Sequence, residues 1–112
     1  VVVKKGEYGA AMFSANEDRR AAFFFAPAYP LEKISDPTGA GDSFAGGFVG
    51  YIAQQGDCSD ECIKRAIVHG SVVASFAVEE FSIDRLRRLT REEIESRYQE
   101  FKHFTHFEPL EV

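Results

Sequence analysis

An excess of positive charge is the first thing this sequence lacks. Its 112 residues carry 13 Lys and Arg against 18 Asp and Glu, a formal net charge of −5. Affinity for a nucleic-acid backbone rests on a basic surface, so this balance argues against nucleic acid and toward a small-molecule partner. Long apolar runs are missing too. None approaches the ~20 residues needed to span a bilayer, and no charged leader followed by an apolar core suggests a secretion signal. A cytoplasmic protein without a membrane partner is therefore expected. Cysteine is scarce: Cys58 and Cys62 are close enough to share a helix face. A structural zinc site typically needs four ligands in a recognisable spacing, so neither a metal nor a disulfide is expected there. Methionine occurs once, at Met12, and the chain opens at Val1-Val2-Val3, which reads as the middle of a strand. Both features lead us to expect a piece of a larger domain.

With 45% hydrophobic and 28% charged residues, the composition is that of a small globular domain or part of one, not of a disordered segment. The first third reads as strands. Val1 to Lys4 is β-branched, Gly6 and Gly9 punctuate a turn, and Ala10 to Ser14 and Ala21 to Ala26 are further apolar runs. Asn16-Glu17-Asp18-Arg19 supplies a polar turn for a hairpin, and Pro27 and Pro30 end the third strand.

From Gly39 the apolar period changes from two to about three and a half, which marks a switch to helices. A helix is predicted from about Gly41 to Gln54, with Phe44, Ala45, Phe48, Val49 and Ile52 as its stripe and Gly56 near its end. Ser59 is a good N-cap for a second helix, followed by Asp60 and Glu61. Its stripe runs Ile63, Ala66, Ile67, Gly70, Val73, Ala74, Ala77. A short helix over Asp84 to Leu89 and a last one opened by the capping box Thr90 and Glu93 complete the pattern. The tail from His103 to Val112 is expected to pack down and then fray, and the phenylalanines are expected in the core.

The chemistry candidate sits at the switch, in Thr38-Gly39-Ala40-Gly41-Asp42. The first N–H groups of a helix have no partner within it, and the helix dipole adds partial positive charge, so anionic groups bind there. Glycines let the backbone approach a ligand closely. A carboxylate at such a place repels a phosphate unless the reaction needs one. Attack of a hydroxyl on a phosphoryl group does, because a base must accept the hydroxyl proton. The plainer reading makes Asp42 an N-terminal helix charge and the glycines a turn. Against it stand Gly46, Gly47 and Gly50 inside the predicted helix, each costing about 1 kcal/mol relative to alanine. Close approach of a nucleotide or of another backbone would explain them. A Walker loop is excluded because Gly47 and Phe48 follow Gly46 where Lys-Ser/Thr is required, and a dinucleotide fingerprint because Phe44 occupies its last glycine position.

The run from Asp36 to Phe48, Asp-Pro-Thr-Gly-Ala-Gly-Asp-Ser-Phe-Ala-Gly-Gly-Phe, resembles the C-terminal signature of the ribokinase-like (PfkB) carbohydrate kinase family. Lys5-Gly6-Glu7-Tyr8-Gly9-Ala10 is similar to the Gly-x-x-Gly turn that its members place beside the nucleotide. The resemblance implies an α/β fold: the C-terminal, nucleotide-binding part of a three-layer α/β/α sandwich, strands and a hairpin first and then helices. Residues 1–112 would be one portion of a single kinase domain, without the N-terminal substrate and lid portion. It implies transfer of the ATP γ-phosphate to a hydroxyl of a sugar or nucleoside, with Mg2+ as the nucleotide's counter-ion. By position, Asp42 would be the base, and the N–H groups of Gly39, Ala40, Gly41 and Asp42 the anion hole. Gly6, Gly9 and Thr38 would approach the nucleotide, and His69 and Val73 would lie near its adenine.

Asp36 and Thr38 match positions that hold a monovalent cation such as K+ in many members. The second half of that cation site departs from the pattern, since Glu79-Glu80-Phe81-Ser82 lacks the usual glycine. Lys4 stands where many members have threonine, and is expected to face solvent rather than phosphate. Independently of the resemblance, a histidine such as His69 on a helix of small apolar residues is more often packed and hydrogen-bonded than catalytic. The alternative functions are a nucleotide-binding module without catalysis and a structural α/β fragment. The isolated chain is expected to be inactive, because the acceptor-binding groups of the family lie upstream of the signature.

Overall fold

The computed structural model of the chain describes residues 1–14, 23–30, 40–79 and 84–110. Three strands, β1 (Val2–Lys4), β2 (Ala10–Phe13) and β3 (Phe23–Ala26), form an antiparallel sheet in the order β1-β2-β3. Among the described residues four α-helices follow: α1 (Ala40–Gln55), α2 (Asp60–Ala77), the short α3 (Asp84–Arg87) and α4 (Arg91–Thr105). The antiparallel pairing of β2 with β3 bears out the hairpin, while its proposed turn at 16–19 lies outside the described residues. Among the described residues no helix is long and apolar enough to cross a membrane.

The register decides which side chains meet the helices. Val2 pairs with Met12 and Lys4 with Ala10, while Ala10 and Met12 pair in turn with Ala26 and Phe24. Successive side chains alternate across a strand, so all six share one face. Ala10, Met12 and Ala26 are buried there with Phe44 of α1 and Ile67 of α2, and Val2, Phe24, Phe48 and Ile63 pack around them. A second cluster joins Val72 and Phe76 of α2 to Phe101 of α4, with Tyr29, Ile94 and Tyr98 against it.

The opposite face of the sheet corrects the expectation that the phenylalanines are core. Phe13, Phe23 and Phe25 are 47%, 53% and 41% exposed, and Val1 and Val3 join them. One face of the sheet is covered by helices; on the other, Ala11 is buried while the larger apolar side chains around it stay exposed, so the described residues make two layers.

Local signals at the helix ends hold. Gly56, at φ 66°, ends α1 with its N–H donating to the Ile52 carbonyl at 2.8 Å. Ser59 caps α2 by accepting from the Cys62 N–H, and Thr90 and Glu93 close the capping box of α4. α3 stops at Arg87, two residues short of the expected Leu89. α4 runs to Thr105, so the first residues of the expected tail are helical, and beyond it Phe107 remains 84% exposed instead of packing down.

Of the three glycines inside α1, Gly47 is explained by contact with α2. A Cβ on it would lie 3.1 Å from the Gly70 Cα and from Val73, and a Cβ on Gly70 would lie 2.8 Å from the Phe44 carbonyl oxygen. Backbone-to-backbone approach thus accounts for Gly47, as expected. A Cβ on Gly46 or Gly50 would meet no described protein atom within 4 Å, so no neighbouring backbone accounts for these two.

Candidate active site

β1 leads into a tight turn over Gly6–Tyr8 whose ends are tied by the Lys5 N–H donating to the Gly9 carbonyl at 2.7 Å. Both glycines of the turn have positive φ, 58° at Gly6 and 117° at Gly9. Their reasons differ. A Cβ on Gly9 would stand 2.1 Å from the Ala26 carbonyl oxygen, so Gly9 is required by β3 passing against it. A Cβ on Gly6 would meet nothing within 4 Å, so its backbone faces open space.

That open space belongs to a cleft of about 560 Å³ lined from three directions. The strand side gives Lys4, Gly6, Tyr8, Gly9 and Ala10, the start of α1 gives Ala40, Gly41 and Phe44, and α2 gives Ser71, Ala74, Ser75 and Val78. Ala28, Tyr29 and Pro30, leading out of β3, close it. Its volume is in the range of small-molecule sites. At one end lies the first turn of α1, whose N–H groups no preceding helical carbonyl can reach and whose dipole end is positive. The Lys4 ammonium adds full positive charge, Nζ donating to the Gly41 carbonyl at 3.3 Å. Asp42 occupies the same first turn and is exposed. A group of phosphate charge and an acceptor of a proton can therefore be served within one helical turn.

The structure brings together Gly6, Gly9, Ala40 and Gly41 on the cleft; Asp42, next in the chain, is exposed beside it and is not itself among the lining residues. Gly39, Thr38 and Asp36 lie outside the described residues, as do residues 80–82 of the expected second half of the cation site. His69 and Val73 are not among the residues lining the cleft. Both turn toward α1: Val73 would touch a Cβ on Gly47, and the His69 ring sits 5.3 Å from that of Tyr51. Burial lowers the His69 pKa below its usual 6.5, and its Nε2 has no hydrogen-bond partner among the described residues. The rotation of α2 about its axis is the reason. It turns Ser71, Ala74, Ser75 and Val78 to the cleft, and His69 and Val73 to the seam between the helices.

Lys4 was expected in solvent. It is exposed, yet its place on the helix-covered face of β1 carries its ammonium over the start of α1. The signal was available in the alternation of the strand, which puts Lys4 on the side of the apolar Val2. Ser71 and Ser75 also line the cleft, with no signal in the sequence to single them out. Their hydroxyls donate to the carbonyls of Ile67 and Val72 at 2.9 and 2.6 Å, which satisfies them inside an apolar helix stripe. Among the described residues no group of three or more His, Cys, Asp or Glu could hold a metal ion.

Residues 1–85, from β1 to the start of α3, match the pfkB family carbohydrate kinases. The chain is also similar to the cytidine kinase of Thermococcus kodakarensis, 40% identical over 67 residues that make up 57% of this chain and 21% of that protein. It thus spans about a fifth of the length of the curated relative it matches. With the matched stretch taking in the glycine turn, the start of α1 and the α2 wall of one cleft, the chain belongs to the pfkB carbohydrate kinase family.

Proposed function

We propose that this chain is the phosphoryl-transfer half of an ATP-dependent kinase that acts on a hydroxyl of a sugar or nucleoside. What carries the proposal is the meeting of the first turn of α1, with Asp42 on it, and the Lys4 ammonium at one end of the cleft. Similarity to a cytidine kinase directs the acceptor toward a nucleoside.

In this reaction an acceptor hydroxyl oxygen bonds to the γ-phosphorus while the bond from that phosphorus to the bridging oxygen breaks and ADP departs. Asp42 takes the hydroxyl proton on a carboxylate oxygen. The backbone N–H groups of Gly39, Ala40, Gly41 and Asp42 face the charge on the transferred phosphoryl group, which is where positioned donors contribute most. Gly6 lets the turn after β1 approach the nucleotide, and Gly9 serves the nucleotide indirectly by holding that turn against β3. His69 and Val73 serve the packing of α1 on α2, and the base is left to Ala74, Val78 and Tyr29. Magnesium enters as the nucleotide's counter-ion, its charge offsetting that of the phosphates, with no ligand assigned to it in this chain. A K+ site at Asp36 and Thr38 rests on the signature alone.

The acceptor-binding half is assigned to polypeptide outside these 112 residues. Two observations support this: the matched stretch is only 21% of the relative, and the outer sheet face at Phe13, Phe23 and Phe25 has the apolar surface that a further layer of helices would cover. On its own the chain would then bind nucleotide without turning over an acceptor. Asp42→Asn in the complete kinase tests the base, with kcat expected to fall by roughly 10²–10³ at little cost in KM for ATP. Near-wild-type turnover with ATP binding intact would mark a nucleotide-binding module in which Asp42 has no chemical role.

A further inference from the structure

α4 lies beyond the stretch that matches the family, yet successive turns of it hold one residue of the cleft wall. Tyr29 lines the cleft. Its ring stands 4.5 Å from the Arg97 guanidinium carbon, 5.7 Å from the Phe101 ring and 6.0 Å from that of Phe104. Its hydroxyl donates to the Glu100 carboxylate. Positions 97, 100, 101 and 104 fall on one face of a helix, and that face is turned to Tyr29.

Arg97 also reaches a second wall residue. Nη1 donates to Ser75 Oγ at 3.0 Å, Nη2 pairs with Glu79, and the Phe76 ring lies 3.7 Å from the guanidinium carbon. The Ser75 hydroxyl donates in turn to the Val72 carbonyl, so both its proton and an acceptor position are committed and its rotamer is fixed. Only 16% of the Arg97 side chain is exposed. A cation removed from water to this degree is a poor device for stability alone, because an apolar side chain of similar volume often does as well. What the guanidinium adds is a planar fork that stacks and donates at once, which neither methionine nor lysine reproduces.

We infer that Arg97 is a positioning residue of the nucleotide cleft, fixing Tyr29 and Ser75 as the wall that receives the base. The inference rests on the kinase reading of the cleft. It assigns to α4, outside the family match, a part in nucleotide affinity through two residues that Arg97 holds and not through contact of its own.

Its test is steady-state kinetics on the complete kinase, comparing wild type with Arg97→Met and Arg97→Lys, with thermal midpoints and binding of a fluorescent ATP analogue alongside. KM for ATP should rise about tenfold in Arg97→Met, while kcat and KM for the acceptor stay within about twofold. Arg97→Lys, which keeps the charge and loses the planar stack, should remain about threefold or more above wild type. If the methionine variant does not fold, the lysine variant decides. A KM for ATP within about twofold of wild type in the folded variants, whatever the loss of thermal stability, overturns the inference and leaves the kinase reading standing. A wild-type protein that binds no ATP analogue overturns both.

Discussion

The Lys4 ammonium donates to the carbonyl oxygen of Gly41, tying the last residue of β1 to the first turn of α1 one position before Asp42. This contact places a full positive charge beside helix N–H groups that already favour anions, and next to the residue assigned as base. A lysine so placed has a carbonyl as a modest partner and a phosphate as a much better one.

Lys4→Met should therefore weaken nucleotide binding more than it weakens the fold. Loss of one charge-assisted contact at an exposed site corresponds to a rise of roughly tenfold in KM for ATP, with a smaller change for the acceptor. Titration with an ATP analogue at two salt concentrations checks it, since the wild-type advantage should shrink as ionic strength rises. Equal affinity of the two proteins at low salt would return Lys4 to solvent.

Gly70→Ala should destabilise the protein by about 1–3 kcal/mol, because the added methyl lands 2.8 Å from a backbone oxygen that no rotamer change can move aside. Gly46→Ala has no such neighbour and relieves a glycine inside a helix, so it should stabilise by up to about 1 kcal/mol. Denaturant midpoints of the pair give a direct contrast. Similar losses for both would mean that Gly46 is covered in the complete kinase.

Stability should fall on the acid side because of His69. Its folded pKa is lowered by burial, so below the ordinary value of 6.5 the unfolded chain binds a proton that the folded chain resists. Its contribution is thus complete above about pH 6.5 and is lost as pH falls through the unfolded pKa toward the folded one. Thermal midpoints of wild type and His69→Gln between pH 7.5 and 5.5 should diverge at neutral pH and converge, or cross, in acid. Parallel curves would show that His69 titrates as it would in water.

The parts of the fold that sequence made legible are those governed by neighbours in the chain. Ser59 and Cys62, or Thr90 and Glu93, are three residues apart and meet whenever a helix starts there. Gly56 ends α1 for an equally local reason. His69 and Val73 show where such reasoning stops. Their place on α2 was clear, but the direction they face depends on how α2 is rotated against α1, and that is settled where Gly47 meets Gly70. Gly9 lines the cleft, and a second reason for it, the carbonyl of Ala26 seventeen positions away on β3, is invisible in the local motif.

By itself, then, the sequence determined the element order, the helix caps and a signature that names the family, because periodicity, capping and motif spacing are properties of short stretches of chain. Tertiary structure alone decided that Lys4 reaches Gly41, that Ser71 and Ser75 rather than His69 and Val73 line the cleft, and that Arg97 grips Tyr29. Each of these depends on the register of strands or the rotation of packed helices, which are set by the fit of distant surfaces and leave no mark in any single segment.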